Sequence, residues 1–147
     1  MISKHWNAVS IKTVIGVFLI LLGSSLRSYA ERMDFLISTV VPAARGYVKI
    51  KKDGNKNYAM EIKIRNLAEI DRLFPSHKTY VIWMVTEKGV AENIGRLKSS
   101  TGFLSKKLKA SFATTTTSKP AKIYITAEDD PAIQYSFAPE VLSTATL

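Results

Sequence analysis

The sequence predicts an all-β protein, an immunoglobulin-like antiparallel β-sandwich with one short helical crossover. Three observations carry that reading. Apolar and polar residues alternate through Val48 to Lys51, Tyr58 to Arg65 and Ile123 to Thr126. Successive side chains of a strand point to opposite faces, so period two marks a strand buried on one side. Turn chemistry separates these runs: Asp53-Gly54, Lys88-Gly89 and Glu128-Asp129-Asp130-Pro131. After the N-terminal segment, helical spacing dominates only in Asn66 to Ser76. About six to eight short strands at hairpin spacing are the pattern of a sandwich or barrel.

The N-terminal segment comes first. Lys4, His5 and Lys12 precede an apolar run, Val14 to Leu22, and Ser28-Tyr29-Ala30 follows it. A positive region, an apolar region and a small-x-small site are the marks of a signal peptide, with cleavage between Ala30 and Glu31. The uncharged stretch between Lys12 and Arg27 has 14 residues. As a helix it spans about 21 Å, short of a hydrocarbon core about 30 Å thick. A cleaved signal peptide is therefore favoured over a short membrane anchor, which snorkelling of Lys12 and Arg27 would otherwise permit. The expectation is an exported chain, in the periplasm or at the cell surface. It becomes membrane-anchored if residues 1–30 are retained.

Residues 31–41 read as a transition closed by Pro42, in which Leu36 to Val41 forms a helix end or an edge strand. Val48 and Ile50 then face opposite to Lys49 and Lys51, and Tyr58, Met60, Ile62 and Ile64 opposite to Glu61, Lys63 and Arg65. Asp53-Gly54 between these runs signals a hairpin, with Gly supplying the positive φ of the turn. Leu67, Ile70, Leu73 and Phe74 have helical spacing and Pro75 ends the segment, so a short helix or 3₁₀ turn belongs there. Thr79 to Thr86 is apolar on both faces, the signature of a central strand covered on both sides. Ile94 to Lys98 is a short strand, and Leu104, Leu108, Ala110 and Phe112 mark another. Thr114 to Pro120 reads as a polar loop. Ile123 and Ile125 mark the next strand, and Ile133 to Phe137 a last edge strand. The sandwich is thus placed over residues 42–138, with a loose tail over 139–147.

The run Lys78-Thr79-Tyr80-Val81-Ile82-Trp83-Met84-Val85 resembles a Tyr-x-x-Trp-x-Val strand of the extracytoplasmic domain of anti-sigma-K factors. Gly89 after the next turn fits that resemblance. So does Ile125-Thr126-Ala127-Glu128, although Asp129 and Asp130 separate Glu128 from Pro131 where the family has Glu-Pro. The resemblance covers roughly Gly46 to Ser136 and implies a β-sandwich outside the cytoplasmic membrane. It does not imply sigma-factor binding. That activity belongs to a cytoplasmic region of the family, for which the dozen or so residues ahead of the apolar run leave no room.

The composition restricts the chemistry. There is no cysteine, which excludes disulfides, thiolate metal sites and cysteine nucleophiles. The net charge is +9, and the chain stays basic without Lys4, Lys12 and Arg27. That balance favours anionic partners, but the cations are spread along the chain rather than packed as in a nucleic-acid binder.

Candidate sites are sparse. Asp53-Gly54-Asn55-Lys56-Asn57 opens like a calcium loop, but Tyr58 and Ile64 stand where such a loop needs Gly and Glu. Glu128-Asp129-Asp130 reads as a solvated turn rather than a metal site. His77 lacks any surrounding nucleophile frame. Trp83, Tyr80, Tyr58, Phe103 and Phe112 could form an aromatic platform, but parity makes Tyr58 and Phe112 core. Tyr80 and Trp83 have opposite parity, so they fill different layers, and Trp83 is the candidate exposed ring for a ligand contact. Lys49, Lys51, Lys63, Arg65, Lys107 and Lys109 are the candidate binding cations on strand faces, to be weighed against a solvated face that discourages edge aggregation. No catalytic residue, metal or cofactor is expected. The sequence leads to an exported, non-catalytic interaction or structural module of the bacterial cell envelope. Its partner is an envelope protein or anionic polymer and not nucleic acid, with membrane association through the N-terminal segment as a further possibility. The alternatives are a binder of anionic polymer or membrane through the lysine faces, and a small enzyme or ligand binder using scattered carboxylates.

Overall fold

The computed structural model describes residues 30–101 and 108–147. The apolar run of the signal reading lies outside the described residues, and so do Phe103, Leu104, Lys106 and Lys107. The described chain is all-β apart from one 3₁₀ turn at Ile70–Arg72. Its strands are β1 (Ala30–Asp34), β2 (Arg45–Lys52), β3 (Tyr58–Arg65), β4 (Thr79–Thr86), β5 (Ala91–Leu97), β6 (Ser100–Thr101), β7 (Leu108–Thr116), β8 (Pro120–Glu128) and β9 (Glu140–Ser143). They form two antiparallel sheets, β1-β2-β3-β7-β6 and β5-β4-β8-β9.

The period-two runs bury the residues that their parity selects. Val48, Ile50, Met60, Ile62, Ile64 and Ala110 from the first sheet meet Tyr80, Ile82, Met84, Ile123, Ile125 and Ala127 from the second in one hydrophobic cluster. Each fully buried aliphatic side chain there contributes about 1.5–3 kcal/mol relative to exposure. β4 is central in its sheet, between β5 and β8, as its two apolar faces require. Tyr58 and Phe112 pack half-buried against the cluster.

The β2–β3 hairpin forms where Asp53-Gly54 predicts it, but by different chemistry. The positive φ falls on Lys56, at 66°, not on Gly54. The Asp53 carboxylate organises the loop instead, accepting from the backbone N–H groups of Asn55 and Asn57, each at 2.8 Å, and from Asn57 Nδ2 at 3.1 Å. These donors hold its pKa below the ordinary aspartate value, with the Asn57 backbone contribution largest. The carboxylate is thereby committed to its own turn.

Several sequence expectations are corrected. The transition segment 31–41 begins as an edge strand, because β1 pairs with β2 from Ala30↔Lys51 to Asp34↔Tyr47. The expected polar loop from Thr114 to Pro120 shrinks, since β7 runs to Thr116 and β8 starts at Pro120. The Thr side chains of β7 alternate between half-buried and exposed positions, which suits their β-branching. Ile133 to Phe137 is not a strand. The last strand is Glu140–Ser143, within the segment expected to be a loose tail. That segment is fixed by burial: Val141, Leu142 and Thr144 are all buried, and β9 pairs with β8. In the crossover, Leu67 is fully buried but Phe74 is exposed, so only part of the helical spacing reaches the core.

The two sheets meet along their edges. Phe35 bridges to Thr144, and Leu36 N donates to Ser143 O at 2.9 Å, joining β1 to the β9 side. On the other side β5 approaches β7. Gly95, with φ of 143°, lies against the Phe112 ring, where an added Cβ would come within 2.6 Å. A side chain at 95 meets both backbone strain and the ring.

Candidate anion-binding face

The outer face of the first sheet gathers the predicted cations. Antiparallel register sets directly opposed residues about 4.5–5.5 Å apart across neighbouring strands. Arg45 on β2 opposes Arg65 on β3, and Arg65 opposes Lys109 on β7. Three cations therefore stand in one row across three adjacent strands. None of them pairs with a carboxylate among the described residues. Arg45 Nη1 donates to the carbonyls of Pro42 at 2.6 Å and Ala44 at 2.7 Å, which fixes its guanidinium at the end of β2.

The next row runs Asp34, Tyr47, Lys63 and Ser111. Here the charges are matched. Arg32 reaches Asp34 at 2.8 Å, and its guanidinium lies 4.2 Å from the centre of the Tyr47 ring. Lys63 Nζ lies 2.7 Å from Glu61, whose hydrogen bond and charge raise the lysine pKa above its ordinary value. Arg32, Arg45, Tyr47, Lys63, Arg65, Lys109 and Ser111 line an open cleft of about 750 Å³. Lys49 and Lys51 continue the face toward the other end of β2, beside Glu61 and Thr115. Across the whole face, Arg32, Arg45, Lys49, Lys51, Lys63, Arg65 and Lys109 oppose only Asp34 and Glu61.

The structure thus brings Lys63, Arg65 and Lys109 together, leaves Lys49 and Lys51 at a distance along the same face, and does not describe Lys107. Sequence reasoning missed Arg32, Arg45, Tyr47 and Ser111. Arg45 and Tyr47 share parity with Lys49 and Lys51, so the signal for them was present. Arg32 was hidden because residues 31–41 carry no alternation that marks β1.

Trp83 is the clearest correction. It is 1% exposed and offers no ring to a ligand. It lies on the outer face of the second sheet, stacked on Tyr124 with centroids 6.0 Å apart, and its Nε1 donates to Thr126 Oγ1 at 2.9 Å. Thr126 Oγ1 donates to Glu128 Oε1 at 2.7 Å, and Ser136 Oγ donates to the same oxygen. Asn93 Nδ2 donates to the carbonyls of Pro131 and Ile133, at 3.0 and 2.8 Å. The segment from Asp129 to Pro139 is thereby tied to this face beside the buried indole. Tyr80, of opposite parity, is buried between the sheets and donates its hydroxyl to Ala68 O at 3.0 Å.

The acidic cluster does not converge. Glu128 is buried under the segment just described, whereas a solvated turn was expected. Asp129 Oδ1 lies 3.6 Å from His77 Nδ1, and Asp130 Oδ1 accepts from Ala132 N at 2.8 Å. Among the described residues no three metal-ligating side chains come together. His77 Nδ1 is buried without a hydrogen-bond partner, and no hydroxyl nucleophile is bonded to it. A second open hollow, about 810 Å³, is lined by Glu69, Asp71 and Asp129 together with Lys78, Arg96 and Lys98, so its charge is mixed. No protein-family model, curated protein or solved structure matches the chain.

Proposed function

We propose that this chain is an exported, non-catalytic interaction module of the bacterial cell envelope that holds an anionic polymer against the outer face of its first sheet. The observation that carries the reading is the charge asymmetry of that face, where seven named cations meet only Asp34 and Glu61. Such a field raises the local concentration of a polyanion and speeds its capture. A polymer is favoured over a bilayer because no large exposed apolar side chain belongs to β1, β2, β3 or β7 among the described residues. The face therefore lacks groups to seat in a headgroup layer.

Export rests on the signal-like pattern ahead of Glu31. The strand that resembles anti-sigma-K extracytoplasmic domains is the buried centre of the second sheet, which suits a β-domain of that compartment. The immunoglobulin-like reading is supported as far as the two packed antiparallel layers.

The test is retention of the full chain on immobilised polyanions and on anionic vesicles across a salt series. Retention on polyanion that weakens steeply with salt is the expected result, because exposed charges are screened within about 10 Å at 0.1 M salt. Absent or salt-insensitive retention would remove the reading. Stronger capture by vesicles than by polymer would make the ligand a membrane surface.

A further inference from the structure

We infer that Arg45, Arg65 and Lys109 form a discrete binding site for a phosphoryl group, so that the polymer held on this face is phosphate-bearing. The inference rests on the anionic-polymer reading and adds the ligand's chemistry.

Like charges set directly opposite one another on adjacent strands repel and destabilise the pairing. The sheet tolerates this twice in succession, at Arg45↔Arg65 and at Arg65↔Lys109. Like charges also oppose at Arg32↔Lys49, but there carboxylates intervene: Asp34 pairs with Arg32, Lys49 faces Glu61 on its other side, and Glu61 pairs with Lys63. The row differs in being three cations in line with no carboxylate opposite any of them among the described residues. It also borders the cleft, and Arg45 is fixed there by the Pro42 and Ala44 carbonyls.

The geometry selects the anion. Three cations drawn from neighbouring strands line one cleft, with Arg65 in the middle. A phosphoryl group sets its oxygens tetrahedrally about phosphorus, so cations approaching from different strands can share it, whereas a carboxylate offers two oxygens in one plane. Guanidinium forks bind phosphate bidentately, and the lysine adds a compact charge. The hydroxyls of Tyr47 and Ser111 line the same cleft and supply neutral donors beside the row.

Thermal unfolding and equilibrium binding of the full chain test this, with inorganic phosphate, long-chain polyphosphate and a polyuronate as probes. Phosphate and polyphosphate are expected to raise Tm, with polyphosphate acting at lower concentration and polyuronate weakly. In phosphate-free buffer Arg65→Ala should unfold no earlier than the parent, because repulsion is relieved. The same variant should lose polyphosphate affinity about tenfold or more. An Arg65→Ala variant with parental polyphosphate affinity overturns the site. So does Lys51→Ala losing as much as Arg65→Ala, although a diffuse polyanion-binding face then survives. Preference for polyuronate overturns the phosphoryl assignment and leaves the anionic-polymer reading standing. Saturation by inorganic phosphate with no gain from polyphosphate keeps the site and overturns the polymer. Binding of none of the probes removes both.

Discussion

Trp83 and Thr126 are joined by a hydrogen bond from indole Nε1 to Oγ1, 2.9 Å long and buried on the outside of the second sheet. Thr126 in turn donates its hydroxyl hydrogen bond to Glu128, and Ser136 donates to the same carboxylate. Thr126→Val keeps the shape but leaves the indole N–H without an acceptor and removes one donor from Glu128. The expected cost is about 1–3 kcal/mol, the penalty for an unsatisfied buried group. Denaturant unfolding measures it. Limited proteolysis should cut the variant faster within Asp129 to Pro139, since that strap loses part of its attachment. An unchanged midpoint would mean the network is not what holds the strap.

Asp53 makes the first hairpin sensitive to acid. Its pKa is lowered in the folded chain, so its contribution is present above the ordinary aspartate value of 3.8 and fades as pH falls through the lowered one. Asp53→Ala should therefore have a lower Tm than the parent near neutral pH. The gap should close below about pH 3.8 and be gone in stronger acid. Paired melting curves along a pH series read this directly, and a pH-independent gap would contradict it.

Tyr80 acts at the opposite extreme. Burial, with a smaller effect of Asp71, pushes its pKa from 10.0 up to about 12. A raised value favours the neutral phenol in the folded state, so stability is complete below pH 10 and is lost as pH rises toward 12. Alkaline unfolding monitored by tyrosinate absorbance should show this ring ionising with the cooperative transition. Tyr80→Phe should resist alkali better than the parent while losing the bond to Ala68, about 1 kcal/mol, at neutral pH.

Leu142 tests the role of the C-terminal strand. It is 2% exposed and belongs to the core cluster. Leu142→Ala should destabilise by about 2–5 kcal/mol, as large-to-small changes do where the surroundings collapse poorly. Removal of residues 140–147 should do more, because β8 becomes an open edge. Full retention of Tm after either change would restore the loose-tail expectation.

How much was legible depended on whether a segment carried its own period. Tyr58 to Arg65 did, and Thr79 to Thr86 was marked instead by apolar residues on both faces; the structure buries Ile62, Ile64, Ile82 and Met84 accordingly. β1 and β9 did not. Ala30–Asp34 and Glu140–Ser143 are short edge strands whose pairing is decided by distant partners, β2 and β8. Trp83 failed for another reason. Parity separated it from the layer of Tyr80, but no local pattern says that the outer face of this strand will be buried too. At the candidate site, parity found Lys63, Arg65 and Lys109. Only register could reveal that Arg45, Arg65 and Lys109 stand in one line, because opposition across strands is a property of pairing and not of spacing.

The pairing Ala30↔Lys51 also fixes where the described chain begins relative to the cationic row. The chain enters β1 at the end of the first sheet remote from Arg45, six residues away along β2 from Lys51. At about 3.4 Å per residue that is roughly 20 Å. The described chain therefore begins at the opposite end of the sheet from the cationic row. A solid support coupled ahead of Ala30 would leave that row at the far end, open to a polymer in solution.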